Sequence, residues 1–168
     1  MEFVDVIDEN GNVLDSVLKQ AAHEKGLSHK CVVAEVIDSQ GRMLLVRQAQ
    51  DRQDAGQYVS PVGGHVAAGE KDEDALKRET EEELGLKDFT LKQIGKTIFN
   101  REILGRKENH TFVLYEIYSD QEPVINHESV EFEWFTKEEL RNRLRNNPKE
   151  FGDAFFVVLK NFYPELLE

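Results

Sequence analysis

Between Gly64 and Leu86 the chain reads GHVAAGEKDEDALKRETEEELGL, a run whose carboxylates are spaced for metal chemistry. On a helix advancing about 100° per residue, Glu79, Glu82 and Glu83 share an arc of roughly 100°, while Glu81 points the other way. Leu76, Thr80 and Leu84 form a less polar stripe directly beside that arc. A helix docked by this stripe holds three carboxylates at the edge of the interior. Three like charges, partly stripped of water, repel one another unless a cation neutralises them. An all-oxygen ligand set is hard, so the cation it suits is Mg²⁺ or Mn²⁺ rather than zinc. The plain alternative is an exposed acidic helix that binds nothing.

The elements that must position these residues are legible around them. From Asp72 to Leu84 the chain carries helix formers without Gly or Pro, and Gly85 stands where a helix stops. Ahead of it, residues 3–7 and 13–18 flank the turn Glu9-Asn10-Gly11-Asn12, predicting a hairpin. Cys31 to Ile37 and Met43 to Val46 flank Asp38-Ser39-Gln40-Gly41, predicting a second. Asp51 to Gly69 reads as loop, with Pro61 and the pair Gly63-Gly64 as punctuation. Residues 89–99, 111–118 and 131–135 read as strands; 137–146 and 153–162 read as amphipathic helices. This order predicts an α/β fold in which one mixed sheet carries helices packed on it. With no repeat and no Pro- or Ser-rich linker, residues 1–168 form a single domain.

Composition narrows the partners. The chain has 168 residues, of which 33 are acidic and 21 basic, giving a formal net charge of -12. Such a charge repels a nucleic-acid backbone or an anionic membrane, so neither is expected as partner. An anionic small molecule is compatible with it only through a metal. A hydrophobic fraction of 39% fits a folded globule rather than a disordered acidic chain. The single cysteine, Cys31, excludes an internal disulfide and a cysteine-cluster zinc site, and in its apolar strand it reads as a buried structural thiol. No apolar run approaches the roughly 20 residues of a membrane span, and MEFVDVIDENG lacks the basic and apolar regions of a signal peptide. A soluble cytoplasmic protein is the expectation.

The segment 64–86 resembles, position by position, the signature of the Nudix hydrolases: Gly64, Glu70, Arg78, Glu79, Glu82, Glu83, Gly85 and the apolar Leu86 all match. Thr80 stands where an aliphatic residue is commoner. The resemblance implies an α/β/α sandwich with a mixed sheet. It also implies Glu79, Glu82 and Glu83 as metal ligands, with the backbone carbonyl of Gly64 as a further one. Glu70 and Arg78 become the pair that ties the loop to the helix. The implied activity is hydrolysis of a diphosphate bond in a nucleoside diphosphate linked to another moiety, by water attack on phosphorus. Nudix proteins are often dimers, which makes a homodimer the implied assembly. A Nudix domain kept as a non-catalytic nucleotide-binding module is an alternative, although such modules usually lose carboxylates that are all present here.

From Glu2 to about Leu144 the chain is also similar to the Nudix group containing isopentenyl-diphosphate isomerase. That isomerase needs a cysteine where this chain has Gly63, and an acidic residue where it has His110. Protonation and deprotonation cannot run on a glycine, so these departures favour hydrolysis over isomerisation. His23, His29, His65 and His110 fall at or beside a second metal site of that group. With Glu108 they could form a site suited to Zn²⁺ or Mn²⁺. The spacing from His23 to His29 is one residue short of the pattern, and unconnected loop histidines are the plainer reading. His65, inside the loop of the signature, is placed to touch substrate.

The water-activating group is expected outside the signature, in NHESVEFEW. Glu128 is the first choice and Glu131 the second, while Glu82 or Glu83 could serve instead. Among Arg47, Arg52, Arg101, Arg106 and Lys107, Arg47 is the first choice for gripping phosphate. Tyr58 and Phe99 could stack on a base, but they read more simply as core, as do Trp134, Phe155, Phe156 and Phe162.

Overall fold

His29–Ile37 is apolar on both of its alternating faces, as a strand must be when a sheet is covered above and below. This is the central strand β3 in the computed structural model, which describes residues 1–168. Ahead of it come β1 (Phe3–Ile7), β2 (Val13–Leu18) and α1 (Lys19–Lys25). After it follow β4 (Met43–Gln48), β5 (Tyr58–Val59), β6 (Val62–His65), α2 (Asp72–Leu84), β7 (Thr90–Ile103), β8 (Arg106–Tyr118), β9 (Ser129–Phe135), α3 (Lys137–Asn146) and α4 (Asp153–Phe162).

β3 runs parallel to β8 from His29↔His110 to Ile37↔Tyr118, and β7 closes that edge as the antiparallel partner of β8. On its other side β3 meets β4 only at Val36↔Leu44 and Ile37↔Met43. The two strands then part. β6 pairs along β3 and β5 along β4, while β9 pairs with the far side of β4. The site described below opens where β3 and β4 diverge.

Alternation along the strands sorts the core into two layers. Val32, Ala34, Val36, Leu44, Val113 and Ile117 pack with Leu76 and Leu84 of α2. Cys31, Val33, Met43, Leu45, Phe112 and Leu114 pack with Leu140 of α3 and Phe155 and Leu159 of α4. The result is the expected α/β/α sandwich with a mixed sheet.

Three local expectations are corrected, and one helix is added to them. β1 and β2 form a separate two-stranded sheet instead of joining the main one. The hairpin braces the loop before α2: Ala68 N–H donates to the Phe3 carbonyl at 2.8 Å and Gly69 N–H to Asp5 at 3.0 Å. Lys19–Lys25 is a helix closed by Gly26 in the left-handed region, a stop signal overshadowed by the hydrophobic pattern around it. The stretch expected as loop contains β5 and β6, which are too short and too glycine-rich to show a strand period. β7 and β8 extend through polar residues to the turn at Leu104-Gly105, where both residues have positive φ; backbone pairing, not side-chain pattern, carries that extension.

One carboxyl lies inside the sandwich with scarcely any polar company. Glu35 of β3 is wholly buried, shares a hydrogen bond with the Ser60 hydroxyl, and its second oxygen has no partner. Burial pushes its pKa up to about 8. Between about pH 4.5 and 8 the folded chain therefore holds a proton that the unfolded chain has lost. Stability from this group is full at the acid end of that window and falls as pH rises, by at most about 1.4 kcal/mol per pH unit. Glu35→Gln, neutral throughout, should flatten that slope. Urea unfolding of both proteins at pH 5.5 and pH 8 checks it; an equal stability difference at the two pH values would refute the buried neutral acid.

Candidate active site

The segment from Gly64 to Gly85 folds as a strand end, a braced loop and a helix, and Arg78 joins the three. Its guanidinium donates to Glu70 at 3.0 and 3.1 Å, to Glu79 at 2.7 Å and to the His65 carbonyl at 3.1 Å. Glu70 also accepts from Ala67 N–H at 3.0 Å. The hydrogen bonds from Arg78 hold the Glu70 carboxyl below its ordinary range. Lys30 of β3 fixes the first turn of α2 through Asp72 at 2.7 Å. Thr80 is buried as an apolar residue would be, because its hydroxyl donates back to the Leu76 carbonyl at 2.6 Å.

Glu79, Glu82 and Glu83 face one cavity of about 980 Å³, while Glu81 points away towards Lys87. Glu79 lies against the backbone of Gly64 so closely that a Cβ there would stand 2.2 Å from its carboxyl carbon. The Gly63 N–H donates to Glu83 at 3.0 Å. Burial pushes the carboxyls of Glu79 and Glu83 upward, and the charge of Glu128 adds to the push on both. Glu128 reaches the cluster on the loop after β8. Val124 N–H donates to the Leu84 carbonyl at 2.8 Å and Asn126 Nδ2 to the Glu82 carbonyl at 3.1 Å, pinning that loop to the end of α2. Arg52 pairs with Glu128 at 3.2 Å. This set of crowded, desolvated oxygens fits a hard divalent cation, which would relieve their mutual repulsion.

Residues 27–155 match the NUDIX domain family. The chain belongs to that family. It is 32% identical over 178 residues to an isopentenyl-diphosphate Delta-isomerase of Streptomyces griseus, covering 98% of this chain and 85% of the relative. An uncharacterized Nudix hydrolase of Nostoc is 30% identical over 167 residues, 94% of each chain. Among solved structures, that of DR0079 from Deinococcus radiodurans is similar with a TM-score of 0.75 and 24% identity, over 96% of this chain and 99% of that one. The chain is thus a Nudix pyrophosphohydrolase by family and fold, and Nudix hydrolases generally use divalent metal ions.

Beside the same cavity, which His65 and His110 line, the structure corrects the reading of the histidines as unconnected. The register β3–β8 sets His29 against His110, β6 brings His65 beside Cys31, and α1 lays His23 over them. One ring nitrogen of each lies within 4.8 Å of the others. His29 Nδ1 lies 2.8 Å from the Leu27 carbonyl, to which it can only donate, and its Nε2 is buried without a partner. His23 Nε2 stands 3.2 Å from His65 Nε2 and 3.4 Å from His110 Nε2. Burial holds all four rings below the ordinary histidine range, His23 to about 4 and His110 to about 3. Neutral imidazoles are the form that binds metal. Glu108 is not free to join them: Arg101 donates to it at 2.8 Å and Arg106 to its other oxygen.

The remaining expected residues divide. Arg47 is paired with Glu131 at 3.1 Å, and neither lines the cavity, whereas Arg52, Arg101 and Arg106 do. Lys107 is exposed outside it. Tyr58 is core, its hydroxyl 2.8 Å from a carboxylate oxygen of each of Glu131 and Glu133, to one of which it donates, while Phe99 lines the cavity. Cys31 is buried and burial raises its thiol pKa far above the ordinary value, so it is inert. Phe155 is core, with Phe156, Phe162 and Trp134 packed against the two layers. Asn126 was not anticipated; its anchoring role depends on a loop conformation that leaves no sequence period.

The two adjacent glycines make a contrast. Gly64→Ala must displace Glu79 and should weaken Mg²⁺ binding tenfold or more, whereas a Cβ at Gly63 meets nothing within 4 Å. Gly63→Ala should bind Mg²⁺ within about threefold of the parent. Calorimetric Mg²⁺ titration of both variants decides this; equal affinities would remove Glu79 from the ligand set.

Proposed function

We propose that this chain cleaves a diphosphate bond in a small organic diphosphate with Mg²⁺ or Mn²⁺ held by Glu79, Glu82, Glu83 and the Gly64 carbonyl. The observation that carries this is the convergence of Glu79, Glu82, Glu83 and Glu128 on one cavity whose nearest cations are spent: Arg78 on Glu70 and Arg52 on Glu128. A bound divalent ion supplies charge neutralisation for the phosphoryl oxygens and the leaving group. Glu128 takes the proton from the attacking water, with Arg52 fixing its carboxylate. Arg47, the first choice for gripping phosphate, does not line the cavity, whereas His65 borders it. The family resemblance adds a nucleoside as one of the groups the diphosphate can carry.

The similarity to isomerases favours no isomerisation here, because Gly63 offers no group that can carry a proton. Hydrolysis is tested by phosphate or nucleotide release from a panel of organic diphosphates with and without Mg²⁺. Glu83→Gln should lower the rate about a hundredfold or more, and Glu128→Gln by about 10²–10⁴-fold if it is the base. Wild-type turnover by Glu83→Gln, or turnover without metal, would refute the assignment.

The four histidines support a second, softer site. Four neutral nitrogens, with the nearby carboxylate engaged by two arginines, suit Zn²⁺ better than Mg²⁺. Protein refolded with zinc should retain about one ion per chain through desalting, and His29→Ala should lose it. Elemental analysis reads the outcome; retention unchanged in His29→Ala would exclude the cluster.

A further inference from the structure

The last turn of α2 ends in carbonyls that the helix cannot pair by itself, those of Glu81 to Leu84. Gly85 N–H donates to the first of them at 2.9 Å, from a left-handed cap. The loop between β8 and β9 supplies donors for two more: Val124 N–H to Leu84 at 2.8 Å and Asn126 Nδ2 to Glu82 at 3.1 Å. Asn126 is used a second time, at the other side of its amide. Its Oδ1 accepts from Glu128 N–H at 3.0 Å, and its backbone carbonyl accepts from Ser129 N–H at 3.3 Å. This is a turn with asparagine in first position, where the side chain mimics backbone. The two halves of one planar amide thus join the C-terminal end of α2 to the backbone of Glu128.

That link works against a repulsion. Glu128 shares the cavity with Glu79, Glu82 and Glu83, and like charges at close quarters drive its loop outward. The partial negative charge at a helix C-terminus pushes the same way. Two further contacts reach Glu128 from the loop after β4: Ala49 N–H donates to its carbonyl at 2.9 Å, and Arg52 pairs with its carboxylate at 3.2 Å. Both relate Glu128 to that loop, and neither relates it to α2. Val124 ties its loop to α2 but stands four residues away from Glu128.

We infer that Asn126 is a positioning residue for the hydrolysis: its amide sets where Glu128 stands relative to the carboxylates of α2, and so holds the water-activating group over the cation site. This rests on the reading of Glu128 as the group that takes the proton from water. Asn126→Asp separates the two halves of the link. A carboxylate still accepts from Glu128 N–H, so the turn survives, but it has no hydrogen for the Glu82 carbonyl and adds a charge that the helix end repels. Asn126→Ala removes both halves.

The full chain, Asn126→Ala, Asn126→Asp, Glu128→Gln and the two double variants are compared for kcat and KM on the organic diphosphate that the parent cleaves fastest. Calorimetry reads Mg²⁺ affinity, and thermal melting confirms that each variant is folded. Each Asn126 variant should lower kcat about ten- to a hundredfold by displacing Glu128. Their KM and Mg²⁺ affinity should stay within about threefold of the parent, because Glu79, Glu82 and Glu83 remain in place on α2. Added to Glu128→Gln, neither should lower kcat further, since the group they displace is already disabled. A further loss in the double variants, parent-like kcat in Asn126→Asp, or Mg²⁺ affinity falling in step with kcat would overturn the link and leave Glu128 as the base. If Asn126→Ala fails to fold, Asn126→Asp completes the same cycle. Parent-like kcat in Glu128→Gln would overturn the base assignment and this inference with it, whereas cleavage of no diphosphate by the parent would overturn hydrolysis itself.

Discussion

The Arg78 guanidinium donates to both oxygens of Glu70, to the His65 carbonyl and to Glu79, so one side chain couples the end of β6, the loop after it and the helix that follows. Charge-assisted and forked bonds of this kind fix geometry as well as adding energy. The fixed geometry has a consequence for charge. With its planar fork engaged by Glu70, Arg78 can offset only part of the charge on Glu79 and stands 3.9 Å from Glu82. Glu83 and Glu128 then face one another across desolvated space with only the paired Arg52 nearby. The demand for a hard cation follows from where Arg78 has been spent.

The parting of β3 and β4 sets what surrounds that cation. Had the two strands stayed paired beyond Val36 and Leu44, no cavity would open, and Gly63, Gly64 and His65 would have no edge of β3 to join. Because they part, β6 delivers backbone to the carboxylates at Gly63 and Gly64, and an imidazole to the histidine cluster at His65. Oxygen donors gather on the α2 side and nitrogen donors beneath α1. Hard and borderline ligands are thereby separated by a few residues of one strand, so that two ions of different preference would not compete for ligands.

What the sequence disclosed depended on how local each feature is. The span of α2, its three inward carboxylates and the Glu70–Arg78 tie follow from 3.6-residue periodicity and short spacing, and α3 and α4 were equally legible. The core strands β3 and β4 showed as apolar runs. β5 and β6 did not, since strands of two and four residues around Pro61 and two glycines have no period to read. The histidine cluster illustrates the opposite limit: its members are 6, 36 and 45 residues apart along the chain, and only the registers of β3 with β6 and β8 bring them together. The engagement of Arg47 by Glu131 was hidden for the same reason, being a cross-strand contact set by the β4–β9 pairing.

The similarity to isomerases over nearly the whole chain sharpens the distinction between scaffold and chemistry. A Cβ at Gly63 would meet nothing within 4 Å, so packing does not impose glycine there, and its φ does not require it either. Glycine at this position removes a side chain from the middle of the cavity without altering the walls. A proton-transfer reaction loses a participant by that change. A hydrolysis loses nothing, because its nucleophile is water and its charge would be offset by a cation held by the α2 carboxylates, with Glu128 taking the proton. The absence of a side chain at Gly63 thus disables one reaction and takes nothing from the other.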